Sequence, residues 1–201
     1  MSITLRIGIL VVGTLFIVGL VGLLAWGLSN RSSITGLSGI TRVDQPAPDF
    51  RLGLLDDGEV TLSEQRGKVV VINFWASTCP PCRTEARDLE AVWQGYRDKD
   101  VLFIGANIQD TWEPAKRFLD EFGITYPNGL DAGGRISVDY GVVGIPVTFV
   151  VDGEGTVARR WVGEIDIDTL KGWIDELLAG TAPEGDTEGV NKDSYYRLDE
   201  L

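Results

Sequence analysis

The chain has 201 residues, with 30 acidic against 18 basic side chains and a formal charge of −12. That balance argues against nucleic acid, whose binding needs basic surface. No histidine occurs anywhere, which excludes Ser-His-Asp and Cys-His catalysis and every histidine-ligated haem or metal site. The length allows one domain with appendages.

Residues 1–6 form a short tail with a single arginine, and Ile7 to Leu28 follows without a charge. That run exceeds the roughly 20 residues a bilayer-spanning helix needs. It has no polar face and a longer apolar core than a signal peptide. The expectation is an uncleaved anchor at residues 7–28 with the tail inside. The body would then lie on the extracytoplasmic face of the cytoplasmic membrane. Residues 29–45 (SNRSSITGLSGITRVDQ) are rich in Ser, Gly and Thr and read as a flexible linker.

A folded domain is expected over residues 46–179. It opens with two short strands, Pro48 to Leu52 and Glu59 to Leu62, around the turn signal Asp56-Asp57-Gly58. Val69 to Trp75 is an apolar, β-branched run that reads as a buried central strand. Ala76, Ser77 and Thr78 lead from it to Cys79-Pro80-Pro81-Cys82, and a helical pattern runs on to Tyr96.

Both cysteines of the chain therefore sit where a strand hands over to a helix N-terminus, which favours the thiolate. Cys79 falls at the N-cap with Pro80 at the first helical position. Cys79 is assigned as the attacking thiol and Cys82 as the resolving one. Pro81 has no N–H to offer a capping sulfur, which predicts a weakly stabilised thiolate and a reducing pair. A structural disulfide closing so small a ring would stabilise little, and the chain has no other Cys and no His to complete a zinc site. A Cys-x-x-Cys beside a βαβ pattern is a redox signature.

Further elements are a strand over Val101 to Gln109 and a helix over Trp112 to Phe122, with Thr111 as its N-cap and Gly123 at its end. A short strand follows at Tyr126 to Leu130, then a helix at Gly134 to Tyr140. A strand entered through Pro146 runs to Asp152, and another covers Thr156 to Val162. The last helix, capped by Asp166 or Asp168, runs to Leu178 and carries Leu170, Trp173, Ile174, Leu177 and Leu178 on one face. The pattern is α/β, a sheet with helices on both sides. Residues 180–201 are polar and acidic and read as a disordered tail.

The segment FWASTCPPC resembles the active site of the thioredoxin superfamily, and more narrowly the membrane-anchored TlpA/ResA/DsbE group of AhpC/TSA-type redoxins. Asn73 stands two residues before Trp75, where thioredoxin has a buried aspartate. Glu85, three residues after Cys82, matches the active-site glutamate of that group. Thr78 stands where a tryptophan is common, and Val147 where the DsbE branch has glutamate. PDF, the DG turn and TLSE resemble the group's N-terminal hairpin, and Thr111 to Val143 resembles its extra αβ insertion.

The resemblance implies a thioredoxin fold with that hairpin and insertion. It implies a thiol–disulfide oxidoreductase whose only redox group is the Cys79–Cys82 disulfide, without a bound cofactor or metal. Cys79, Cys82 and Glu85 would be catalytic. Pro146 would be cis, with Ile145 beside it pairing an extended substrate. Trp75, Thr78, Pro80 and Pro81 would complete the substrate surface. The implied substrate is a protein disulfide, that of an apocytochrome c or a copper-site protein, and the implied donor a membrane thiol transporter of the CcdA/DsbD kind. Two other classes are a thiol peroxidase, opposed by Ala76 where such enzymes carry threonine, and a non-enzymatic binding module on the same scaffold.

Overall fold

The computed structural model describes residues 13–14, 16–22, 43–181, 188–191 and 196–197. Residues 13–14 and 16–22 are helical and belong to a unit separate from the body that begins at Thr35. Among the described residues no helix is long and apolar enough to cross a membrane. Most of the expected anchor, residues 7–28, and of the linker up to residue 42 lies outside them. The body starts slightly earlier than position 46. Asp44 N–H donates to the Val157 carbonyl at 2.8 Å, and Val157 N–H donates to the Gln45 carbonyl at 2.9 Å.

Strands β1 (Arg51–Gly53) and β2 (Glu59–Thr61) form the expected antiparallel hairpin, Leu52 opposite Val60. Asp57 and Gly58 both take positive φ in its turn, the conformation that Gly reaches at no steric cost and Asp at little. The central sheet then assembles from β3 (Val69–Trp75), β4 (Val101–Asn107), β5 (Asn128–Leu130), β7 (Val147–Val151), β8 (Val157–Val162) and β9 (Glu188–Val190), in the order β5-β4-β3-β7-β8-β9. β6 (Gly144–Ile145) lies just before β7 and pairs with β10 (Tyr196–Arg197). Every residue of β3 is buried, as an apolar run flanked by partners on both sides requires.

Alternation along β3 sorts its side chains between two cores. Val70, Ile72 and Phe74 face the hairpin, Tyr140 and helix α2 (Trp112–Phe122). Val69 and Val71 face helices α1 (Pro80–Tyr96) and α4 (Ile167–Leu178), meeting Leu89 and Val92 from the first and Leu170, Trp173 and Ile174 from the second. Fully burying a side chain of this size contributes about 1.5–3 kcal/mol, so the two helices are held mainly by these faces. Asn73 shares the odd-numbered face, which points the one polar side chain of β3 at α1.

The expected insertion is present. α2, β5 and helix α3 (Arg135–Asp139) intervene between β4 and β6, and β5 extends the sheet parallel to β4. Asp166 caps α4 through its carboxylate, which accepts from the Thr169 N–H and hydroxyl at 2.9 and 2.6 Å. Thr111 occupies the N-cap position of α2, but its side chain makes no capping bond. The expectation of a disordered tail is corrected at residues 188–190 and 196–197, which are strands. A polar segment with no apolar run of its own is ordered there by the unpaired backbone groups of a sheet edge.

Candidate active site

Helix α1 starts where β3 ends, so its first turn sits over the carboxyl end of the central strand. Cys79 is the N-cap, in extended conformation, and Cys82 N–H donates to its sulfur at 3.2 Å. Pro80 and Pro81 offer no N–H, so this is the one contact of its kind from the first turn among the described residues. The two sulfurs are joined in a disulfide across a Cα separation of 5.3 Å. Thr78 and Pro80 are exposed beside it and Pro81 is buried. Cys79 itself has no exposed surface in this conformation, and Cys82 only 2%.

Register brings the second expected element to the same place. β7 runs antiparallel to β3 with Val147 opposite Phe74, so the residue before Val147 lies level with the start of the Cys-x-x-Cys loop. That residue is Pro146, and the Ile145–Pro146 bond is cis. Ile145 is buried, and its backbone is paired with Tyr196 of β10. Val147, where the DsbE branch has glutamate, is buried.

Glu85 follows Cys82 by three positions on α1, which puts both on one helix face. It is buried to within 1%. Asn73 Nδ2 donates to its Oε1 at 2.9 Å, and Ile165 N–H donates to its Oε2 at 3.1 Å. Asn73 also donates to Thr148 Oγ1 at 3.1 Å, tying β3 to β7 beneath the helix. Burial pushes the Glu85 carboxyl up to about 8, against the opposing pull of the Ile165 and Asn73 donors. A carboxyl in that range exchanges protons readily with a cysteine thiol, whose ordinary pKa is near 8.5.

Trp75 lies inside, 3% exposed, so it underlies the site and offers substrate no face. Its indole stacks on Phe118 at 4.3 Å between centroids and donates to Asn128 Oδ1 at 2.9 Å. This pair depends on Gly105, where an added Cβ would stand 1.7 Å from Asn128 Oδ1 and 2.9 Å from the indole nitrogen. Gly105→Ala is accordingly expected to break the Trp75–Asn128 bond and destabilise the fold by about 1–3 kcal/mol. Thermal unfolding would read this as a drop of roughly 2–4 °C per kcal/mol. An unchanged midpoint would show that Asn128 can step aside.

One group near the site, Asp110, escaped the sequence reading. Asp110 accepts from Ser77 N–H at 2.6 Å, from Ser77 Oγ at 2.7 Å and from Asn107 Nδ2 at 2.7 Å. It thereby clamps the loop that delivers Cys79. Gln109, just before it, has φ of 65°. Nothing local in the sequence marks Asp110 as a partner of Ser77, which stands 33 positions away.

The model of the AhpC/TSA family matches this sequence over residues 43–160. The chain belongs to the AhpC/TSA family. Among members of known kind, it is 43% identical over 117 residues to the thiol:disulfide interchange protein HelX of Rhodobacter capsulatus, a match covering 58% of this chain and 64% of HelX. It is 38% identical over 138 residues to the thiol:disulfide interchange protein DsbE of Allochromatium vinosum, covering 67% of this chain and 73% of that protein. A crystal structure of a thioredoxin-family thiol:disulfide interchange protein from Chlorobium tepidum superposes with a TM-score of 0.62 at 28% identity, over 69% of this chain and 98% of that one. This AhpC/TSA protein is a thiol–disulfide oxidoreductase with a thioredoxin-like α/β fold, and Cys79–Cys82 is the cysteine pair it carries.

Proposed function

We propose that this chain is a membrane-anchored, extracytoplasmic reductant of protein disulfides. The observation that carries the reading is the Cys79 sulfur at the mouth of α1, capped by Cys82 N–H while Pro80 and Pro81 withhold theirs. Few donors on the sulfur mean a thiolate less stabilised than in strong oxidants, and hence a pair that gives electrons away. The exposed apolar side chains of Phe16, Ile17, Val18, Leu20 and Val21 on the helical N-terminal segment support the anchor.

In the forward reaction the Cys79 thiolate attacks one sulfur of a substrate disulfide. A Cys79–substrate disulfide forms and the first substrate thiolate leaves, taking up a proton from solvent. Cys82 gives its proton to Glu85 in its ionised form, a fraction that grows as pH approaches about 8, and its thiolate attacks Cys79 Sγ. The Cys79–Cys82 disulfide closes and the second substrate sulfur leaves as a thiolate that takes the proton held by Glu85. Two electrons and two protons have then passed to the substrate, and a membrane thiol donor of the CcdA/DsbD kind restores the dithiol. Pro146 and the backbone of Ile145 hold the substrate in extended form beside Cys79. The cysteine pair of an apocytochrome c, or of a copper-site protein, is the substrate this chemistry suits.

Equilibrating the full chain with defined thiol buffers tests the direction of electron flow. A reduction potential at or below about −270 mV, that of thioredoxin, is expected. A value near about −120 mV, that of DsbA, would make the chain an oxidant and end the reading.

A further inference from the structure

The edge assigned to substrate is already occupied. β10 pairs antiparallel with β6, Tyr196 opposite Ile145 and Arg197 opposite Gly144, so the chain's own C-terminal segment lies where an extended polypeptide would add as a strand. The approach to that position is built as well. β9 adds parallel to β8, with Glu188, Gly189 and Val190 opposite Arg160, Trp161 and Val162. Asn191 N–H continues the ladder to the Val162 carbonyl at 2.7 Å. Gly189 permits this close passage, because a Cβ there would stand 2.1 Å from the Trp161 ring. The end of β8 leads directly to the site, since Gly163 N–H donates to the Pro146 carbonyl at 2.8 Å. Cys79 is 0% exposed in this conformation, although an attacking sulfur must meet its substrate.

We propose that the C-terminal strand β10 is an intramolecular occupant of the substrate edge, and that it shuts Cys79 off until a polypeptide disulfide displaces it. β9 holds the tail at the edge of the sheet and β10 acts as the removable part. The proposal rests on the reading of Ile145 as the substrate-pairing residue. It adds a selection step, because a ligand must replace a backbone ladder and not merely collide with the sulfur. If the closed form holds about nine-tenths of the molecules, removing β10 raises the apparent reactivity of the site about tenfold.

The test compares the full chain with two variants, one ending at Asn191, which keeps β9, and one carrying Tyr196→Pro, which removes an N–H and fits a paired strand poorly. Two rates are read: alkylation of Cys79 by iodoacetamide in the reduced protein, and reduction of a synthetic peptide containing one disulfide. Amide exchange at Gly144 and Ile145 reports the pairing itself. Faster alkylation and faster peptide reduction in both variants, with faster exchange at Gly144 or Ile145, is the expected result. Equal rates in all three proteins, or no protection of those amides in the full chain, would overturn the proposal. Faster alkylation of the variants with no peptide reduction by any form would instead remove the reductase reading, while occlusion of Cys79 by β10 stood.

Discussion

Cys82→Ser is expected to turn the protein into a trap. The Cys79 thiolate would still attack a substrate disulfide, but no second thiol would stand ready to release it. A covalent adduct should therefore accumulate at Cys79, visible as a mass increase that dithiothreitol removes. Cys79→Ser should form no such adduct, and both variants should lose turnover by a factor on the order of 10³ or more, as removal of a covalent nucleophile does. The assignment turns on this asymmetry. An adduct formed by Cys79→Ser and not by Cys82→Ser would reverse the two roles, and the near-equal burial of the sulfurs makes the experiment decisive.

The second large effect concerns Glu85. Its carboxyl titrates at about 8 in the folded protein, raised by burial from the ordinary value of 4.5. Between those two values the folded chain keeps a proton that the unfolded chain has released. Stability therefore falls as pH rises through that window, and the full penalty applies above it. At about 1.4 kcal/mol per unit, the cost reaches a few kcal/mol on the alkaline side. Glu85→Gln cannot ionise, so its stability should lack this slope. The variant should be less stable than the parent near pH 5, because one amide now meets the Asn73 and Ile165 donors with a single acceptor. It should overtake the parent within the window from 4.5 to about 8, before the parent's curve flattens. Urea unfolding at a series of pH values gives both curves, and parallel curves would mean that Glu85 does not titrate in this range. Reduction of a peptide disulfide by the same variant should slow most where Cys82 must lose its proton.

The elements that carry the chemistry were legible in the sequence for local reasons. β3 and α1 begin and end where they were expected, because an uninterrupted apolar run and a proline-started amphipathic helix are patterns within single segments. Pro146 and Glu85 became candidates through resemblance alone, and their surroundings did not. Asn73 reaches Thr148 across 75 positions, Trp75 reaches Asn128 across 53, and Ser77 reaches Asp110 across 33. No periodicity connects residues that far apart, since their meeting is a product of strand order. The tail was misread for the opposite reason. Glu188 to Val190 has almost no intrinsic preference for a strand, and its conformation comes from the partner it completes.

The placement of β9 also has a bearing on how such a protein lives among its clients. A reductant of protein disulfides, as proposed above, would be surrounded by segments able to extend any open sheet. Here the six-residue β8 is covered by the chain's own tail, and the described sheet ends on two strands of three residues each, β5 and β9. Short ends nucleate aggregation poorly. On the proposed reading, a client would add only at the two residues of β6 by displacing β10, so that sticking to a client and reducing it would become the same event.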